Sequence, residues 1–187
     1  MDKKIKLAGA LLLASTLQFF VSMFIAQSML PRYSVFNNYI SELGIGQTAT
    51  LFNTSIILLG LMLCLSALLI FLTLPRKAFP FLLGLTGLCA IGVGLFTMQT
   101  GKLHSIFSVV TFILSALAVL STYKLLKSPL RLLAIICGLI TIVAIVLLGT
   151  HTFLGLGKGG MERIVVYVPL IYTALFGLYL TFFYRID

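Results

Sequence analysis

An all-helical bundle of about six transmembrane spans, with both termini cytoplasmic, is the fold class this sequence predicts, and three observations carry the prediction. Hydrophobic residues make up 60% of the chain and charged ones 9%, whereas water-soluble domains carry about a quarter charged residues. The apolar residues gather into runs close to the roughly 20 residues a helix needs to cross the hydrocarbon core. The period-two alternation of a membrane barrel is absent, so backbone N–H and C=O groups must be satisfied within helices. Residues 1–187 read as a single transmembrane domain of a multi-pass cell-membrane protein.

The first run, Leu7 to Met29, follows Lys3, Lys4 and Lys6. That start resembles a signal-peptide n-region, but the run is longer than an h-region and lacks a convincing small-x-small cleavage site, so it is expected to be the first span. The connection that follows, "LPRYSVFNNYISELGIGQTAT", is too apolar for a solvated loop and too short for a domain. Tyr33, Val35, Phe36, Tyr39, Ile40 and Leu43 are expected to dip into the headgroup layer as an amphipathic turn or short helix, broken by Gly44 and Gly46. Thr48 is the expected cap of the second span, Leu51 to Leu74.

The third run, Phe81 to Thr100, carries Gly84, Gly87, Gly92 and Gly94, which permit close helix approach. The fourth, Ser105 to Tyr123, and the fifth, Leu132 to Thr150, are joined by the short basic "KLLKSPLR". The sixth, Ile164 to Phe183, holds Pro169, expected to kink it. Cys64, Cys89 and Cys137 each fall within a run, without the spacing of a thiolate cluster or a disulfide framework, and read as small apolar filler.

Six crossings would put the termini and the second and fourth connections on one side with Lys3, Lys4, Lys6, Arg76, Lys77, Lys124, Lys127, Arg131 and Arg185. The other side keeps Arg32, Lys102, Lys158 and Arg163. Nine basic residues against four predict cytoplasmic termini by the positive-inside rule. The net charge of +9 is thus spread over span ends, where it meets lipid headgroups, and nucleic-acid binding is excluded.

The outer face is then where chemistry collects: His104, His151, Glu42 and Glu162, with Asn37, Asn38, Ser41, Gln47, Asn53 and Gln99. In "HTFLGLGKGGMER" (151–163), His151 ends the fifth span and Gly159-Gly160 act as a hinge. Glu162 opens the sixth span, where the helix macrodipole favours a carboxylate. Arg163 and Tyr167 share one helix face; Glu162, Val166 and Pro169 share another. Arg163 is expected to reach across to "NNYISELG", and His104, His151 and Glu162 to surround one cavity.

At "NYISELG" (38–44), "LFN" (51–53), the outer His104 and "GGMER" before Tyr167, the sequence resembles the uncharacterised membrane family catalogued as domain of unknown function 998, over nearly the whole chain. The resemblance implies a six-span bundle. It also implies that Asn38, Ser41, Gly44, Asn53, His104, His151, Gly160, Glu162 and Arg163 belong to recurrent outer-face motifs. It carries no activity with it. Glu42 departs from the pattern, where Asp is expected at least as often.

Three classes of function fit these residues, and ordinary polarity at span ends accounts for many of them without any ligand. In the first, the outer face binds a lipid headgroup or docks a partner subunit of a membrane complex: Arg32, Lys102, Lys158 and Arg163 supply cations for a phosphate, and His104 and His151 supply donors, beside Asn38, Ser41, Asn53, Glu162 and Tyr167. In the second, the protein is a hydrolase or transferase at headgroup level. It would hold zinc on His104, His151 and Glu162 with Glu42 as base, or use Ser41 as nucleophile with a histidine base and a glutamate orienter. In the third, His104 and His151 ligate a haem for electron transfer.

Overall fold

Each apolar run becomes one α-helix: α1 Lys3–Ser28, α2 Ala49–Thr73, α3 Ala78–Leu95, α4 Lys102–Ser121, α5 Leu130–Gly149 and α6 Gly157–Leu178, the last extended by a π turn, Tyr179–Phe183. The computed structural model describes residues 3–184; Arg185, counted above among the basic residues, lies outside them. The six helices, with their adjoining turns, are long and apolar enough to cross a membrane. The protein is an all-helical, multi-pass membrane protein. Each helix packs against its neighbours in the chain, and α6 returns against α1 to close a ring.

Close approach within the ring depends on glycine at two crossings. A Cβ at Gly60 of α2 would stand 2.5 Å from the Gly87 carbonyl oxygen of α3, and one at Gly87 would stand 2.7 Å from the Gly60 oxygen. Gly9 of α1 and Gly177 of α6 meet in the same way, at 2.6 and 2.7 Å. Without a hydrophobic driving force between helices in lipid, such backbone contact is a main source of attraction. Among the four glycines expected to allow close approach in the third span, Gly84 is the exception, with only the Ala67 Cβ nearby at 3.5 Å. Hydroxyls within the spans are satisfied locally: Ser15 and Thr16 both donate to the Leu12 carbonyl, and Ser66 donates to the carbonyls of Met62 and Ala8, the latter on α1.

Three expectations at helix starts are corrected. Thr48 stands at the N-cap of α2, but its hydroxyl donates to the Leu43 carbonyl and caps nothing. α6 begins at Gly157, so Glu162 lies in its second turn and the first turn holds no acid; the macrodipole is not what places it. Gly159 and Gly160 are helical and form no hinge. Gly159 is glycine because a Cβ there would stand 2.2 Å from the Asn38 oxygen and 2.4 Å from the Val35 oxygen. The apolar run begins later than the helix because the first turns of α6 are covered by protein rather than lipid, and polar residues are tolerated there.

Candidate functional site

At the end of the bundle opposite the termini, residues 30–46 lie as a strap across the start of α6. The strap is short of regular structure, with one 3₁₀ turn at Ile40–Gly44, and its side chains supply the missing bonds. Asn38 accepts the Ser34 N–H through Oδ1 at 2.9 Å and donates through Nδ2 to Glu42 Oε2. Glu42 Oε1 accepts the Tyr39 N–H at 3.0 Å and the Lys158 ammonium at 3.0 Å. That ammonium also sits 4.6 Å from the centre of the Tyr39 ring. Gly46, at φ +69°, ends the strap with a turn that favours glycine.

The sixth helix grips the strap from below. The Gly159 N–H donates to the Phe36 carbonyl at 3.1 Å. Arg163 Nη1 donates to the carbonyls of Val35 (3.0 Å), Asn38 (3.3 Å) and Gly159 (2.9 Å), and Nη2 donates to the Tyr33 hydroxyl at 2.9 Å. Tyr33 passes the bond on to the Tyr39 carbonyl at 2.9 Å. Glu162 Oε2 accepts the Ile40 N–H. Both charged residues are 6% exposed, so these are charge-assisted bonds in a place where water does not compete. Arg163 Nε is buried without a partner.

Electrostatics within the strap favour its folded form. Burial pushes the Glu42 carboxyl up, but the Asn38 amide, the Tyr39 N–H and the Lys158 ammonium outweigh it and hold the group below its ordinary value. A carboxyl lowered on folding contributes stability that is complete above the ordinary glutamate range, near about 4.3, and is lost as the pH falls through the lowered value. Glu42→Gln is therefore expected to lower the unfolding midpoint at neutral pH, and its difference from the wild type is expected to shrink in acid. The Lys158–Glu42 pair is partly exposed, at 39% and 25%, so Lys158→Ala is expected to cost at most about 1 kcal/mol.

Beneath the strap runs a cavity of about 130 Å³, lined by α2, α3, α4 and α6. Its upper end is formed by Ser41, Asn53, Met98, His104 and Glu162, and its floor by Phe79, Leu83 and Phe176. Down α4 it meets His104, Ser108, Thr111 and Ser115, spaced by four, three and four so that they share one helix face. Down α6 it meets Glu162, Val166, Pro169 and Thr173. The buried imidazole of His104 is fixed at both nitrogens: Nδ1 lies 2.8 Å from the Phe96 carbonyl oxygen and Nε2 3.3 Å from the Ser108 hydroxyl. A carbonyl only accepts, so Nδ1 carries the proton and Nε2 of the neutral ring presents a lone pair.

The model of the family described as "Protein of unknown function (DUF998)" matches residues 13–179. The chain belongs to that family. No curated protein and no solved structure matches it. In this DUF998 protein the quoted motifs assemble into one structure. "NYISELG" is the strap, and "GGMER" is the part of α6 that holds it. Asn53 of "LFN" donates to the Gly44 carbonyl at 3.0 Å, with the glycine packed so closely that a Cβ would stand 2.6 Å from Asn53 Oδ1.

The sequence-predicted site divides into residues that meet and residues that do not. Glu162, His104, Ser41 and Asn53 line the cavity. Arg163 reaches "NNYISELG" as expected, and its face of α6 turns toward α1, where the Tyr167 hydroxyl lies 3.6 Å from Met23 Sδ. His151 does not join them. It is exposed, at φ +56°, against the Phe153 ring, so the expected grouping of His104, His151 and Glu162 around one cavity is corrected. The His151 backbone leaves α5 in a left-handed turn that carries the ring outward.

The zinc and haem readings each placed His151 beside His104, and the structure does not bring the two to one cavity. No group of three or more metal-ligating side chains occurs among the described residues. Glu42 is turned into the strap, and Arg32 and Lys102 are exposed, so Glu42 is not placed as a base at the cavity and the four expected cations do not gather there. Sequence reasoning missed Ser108, Thr111 and Ser115. The repeat of hydroxyls at helical spacing after His104 was the available signal.

Proposed function

We propose that this protein binds a membrane amphiphile within the bundle, its chain between α2, α3, α4 and α6 and its head beneath the strap, on the outer face of the cell membrane. The observation that supports this is the cavity itself, lined mostly by apolar side chains, with a carboxylate and an imidazole at one end. From Glu162 to Phe176 the cavity follows α6 for about 21 Å at 1.5 Å per residue, most of the depth of the hydrocarbon core. Its volume is close to that of a dry engineered cavity of about 150 Å³ that takes a single benzene. A space of that volume holds a short length of one chain, so the cavity seats part of the alkyl chain beside α6 and not its whole length.

Purification in mild detergent followed by mass spectrometry of the retained lipid tests this reading. One amphiphile per protein is expected for the wild type. Ser115→Phe, which fills the lumen from α4, is expected to lose it while keeping the helical circular dichroism. Equal retention by both proteins, or none by the wild type, overturns the reading.

A second reading, acyl transfer or hydrolysis at the same place, is favoured by one observation: Ser108 faces His104 Nε2, and the ring is oriented by the Phe96 carbonyl, an arrangement of nucleophile, base and orienter. Ser105, Thr111, Ser115 and Ser121 of α4 all donate to backbone carbonyls, and Ser108 alone among these α4 hydroxyls pairs with a side chain. A fluorophosphonate probe is expected to label Ser108 under this reading and to leave Ser108→Ala unlabelled. No labelling of the wild type removes it.

A further inference from the structure

The cavity has a chemical polarity of its own. Among the described residues, Glu162 is the only charged one that lines it. Ser41 already spends its hydroxyl on Met98 Sδ and Glu162, and the polar side chains that α2 and α4 turn to the cavity offer lone pairs. His104 keeps its proton on Nδ1 against Phe96 and turns Nε2 toward Ser108, whose hydroxyl donates to it and leaves its oxygen as an acceptor. The Asn53 amide nitrogen donates to Gly44, which leaves Oδ1 as its remaining acceptor. Thr111 and Ser115 donate backward to the Phe107 and Phe112 carbonyls, so their oxygens too have only lone pairs to present.

The cations that would draw an anionic head are held elsewhere. Both terminal nitrogens of Arg163 donate to the strap and to Gly159, and Lys158 pairs with Glu42. Arg32 and Lys102 are exposed and do not line the cavity. A phosphate or carboxylate placed here would meet the Glu162 carboxylate and a row of lone pairs in a medium of low dielectric, where like charges repel strongly and an unpaired buried acceptor is costly.

Resting on the amphiphile reading above, we infer that the ligand is a single-chain amphiphile whose head donates hydrogen bonds and carries no negative charge: a primary ammonium or a hydroxyl, not a phosphate. An N–H or O–H at the Glu162 end would add to the bonds the carboxylate already accepts from Ile40 and Ser41, each carboxylate oxygen having two lone pairs, and reach the acceptor of Ser108, while the chain occupies the apolar length below.

Three photoactivatable probes test the inference in phosphatidylcholine nanodiscs holding the full chain. They share one hexadecyl chain with a mid-chain diazirine and end in an amine, an alcohol or a phosphate. Labelled peptides are mapped by mass spectrometry. The amine and alcohol probes are expected to label cavity-lining residues of α4 and α6 about tenfold more than the phosphate probe, a preference worth about 1.4 kcal/mol.

Glu162→Gln keeps an oxygen for the Ile40 N–H and is expected to reduce labelling by the amine more than by the alcohol. If that variant fails to fold, the ranking of the three probes on the wild type decides. Labelling by the phosphate probe equal to or above the other two overturns the donor-head inference and leaves the amphiphile reading standing. Cavity labelling by none of the three overturns both.

Discussion

Arg163→Ala is expected to free the strap from the bundle and lower stability by about 3 to 5 kcal/mol, the range for removing one side of a buried charged interaction. Three carbonyls and the Tyr33 hydroxyl lose their donor together, and backbone oxygens stranded away from water carry most of the loss. Arg163→Lys keeps the charge but not the planar fork that reaches two groups at once, so an intermediate loss is expected. Thermal unfolding in detergent gives the global effect, and protease cleavage within residues 37–46 gives the local one. An unfolding midpoint and a cleavage rate equal to the wild type would show that the strap is held by packing alone.

Gly87→Leu is expected to be as damaging, for a reason unrelated to charge. The new side chain begins 2.7 Å from Cys64 Sγ and 2.7 Å from the Gly60 carbonyl oxygen. The sulfur can rotate away; the carbonyl moves only if α2 moves. Overpacking typically costs about 1 to 3 kcal/mol and more where backbone must shift. The loss at Gly87 is expected at or above the upper end. Gly84→Leu, three residues earlier on a less crowded side, is the control and is expected to lie within about 1 kcal/mol of the wild type. Size-exclusion profiles after heating rank the two variants. Similar losses in both would mean that the α2–α3 crossing is not set by its glycines.

Much of the strap was legible before any coordinates, because its residues are rare types in an apolar chain. A carboxylate and a guanidinium inside a membrane bundle must have partners, and the polar residues of the connecting segment were available to provide them. The pairing of particular atoms was not legible. Glu162 and Arg163 are adjacent in sequence, yet one faces the cavity and the other faces α1 and the strap, because neighbouring residues on a helix point about 100° apart. His151 was misplaced for a related reason: a residue at the end of a span can turn into the bundle or out of it, and backbone φ after the last helical bond decides which.

What the sequence determined by itself is the set of spans, their number and the concentration of polar chemistry at one end, since length and apolarity alone settle whether a segment is stable as a helix in hydrocarbon. Family membership likewise rests on local motifs. The cavity was decided only by tertiary structure. His104, Ser108, Thr111 and Ser115 share a face in any helix, but whether that face meets lipid, another helix or a space depends on how four helices cross, and glycines that do not themselves line the cavity set one of those crossings. Whether a lysine or arginine is available to a ligand is decided in the same way, by which carbonyls and carboxylates the fold brings within its reach first.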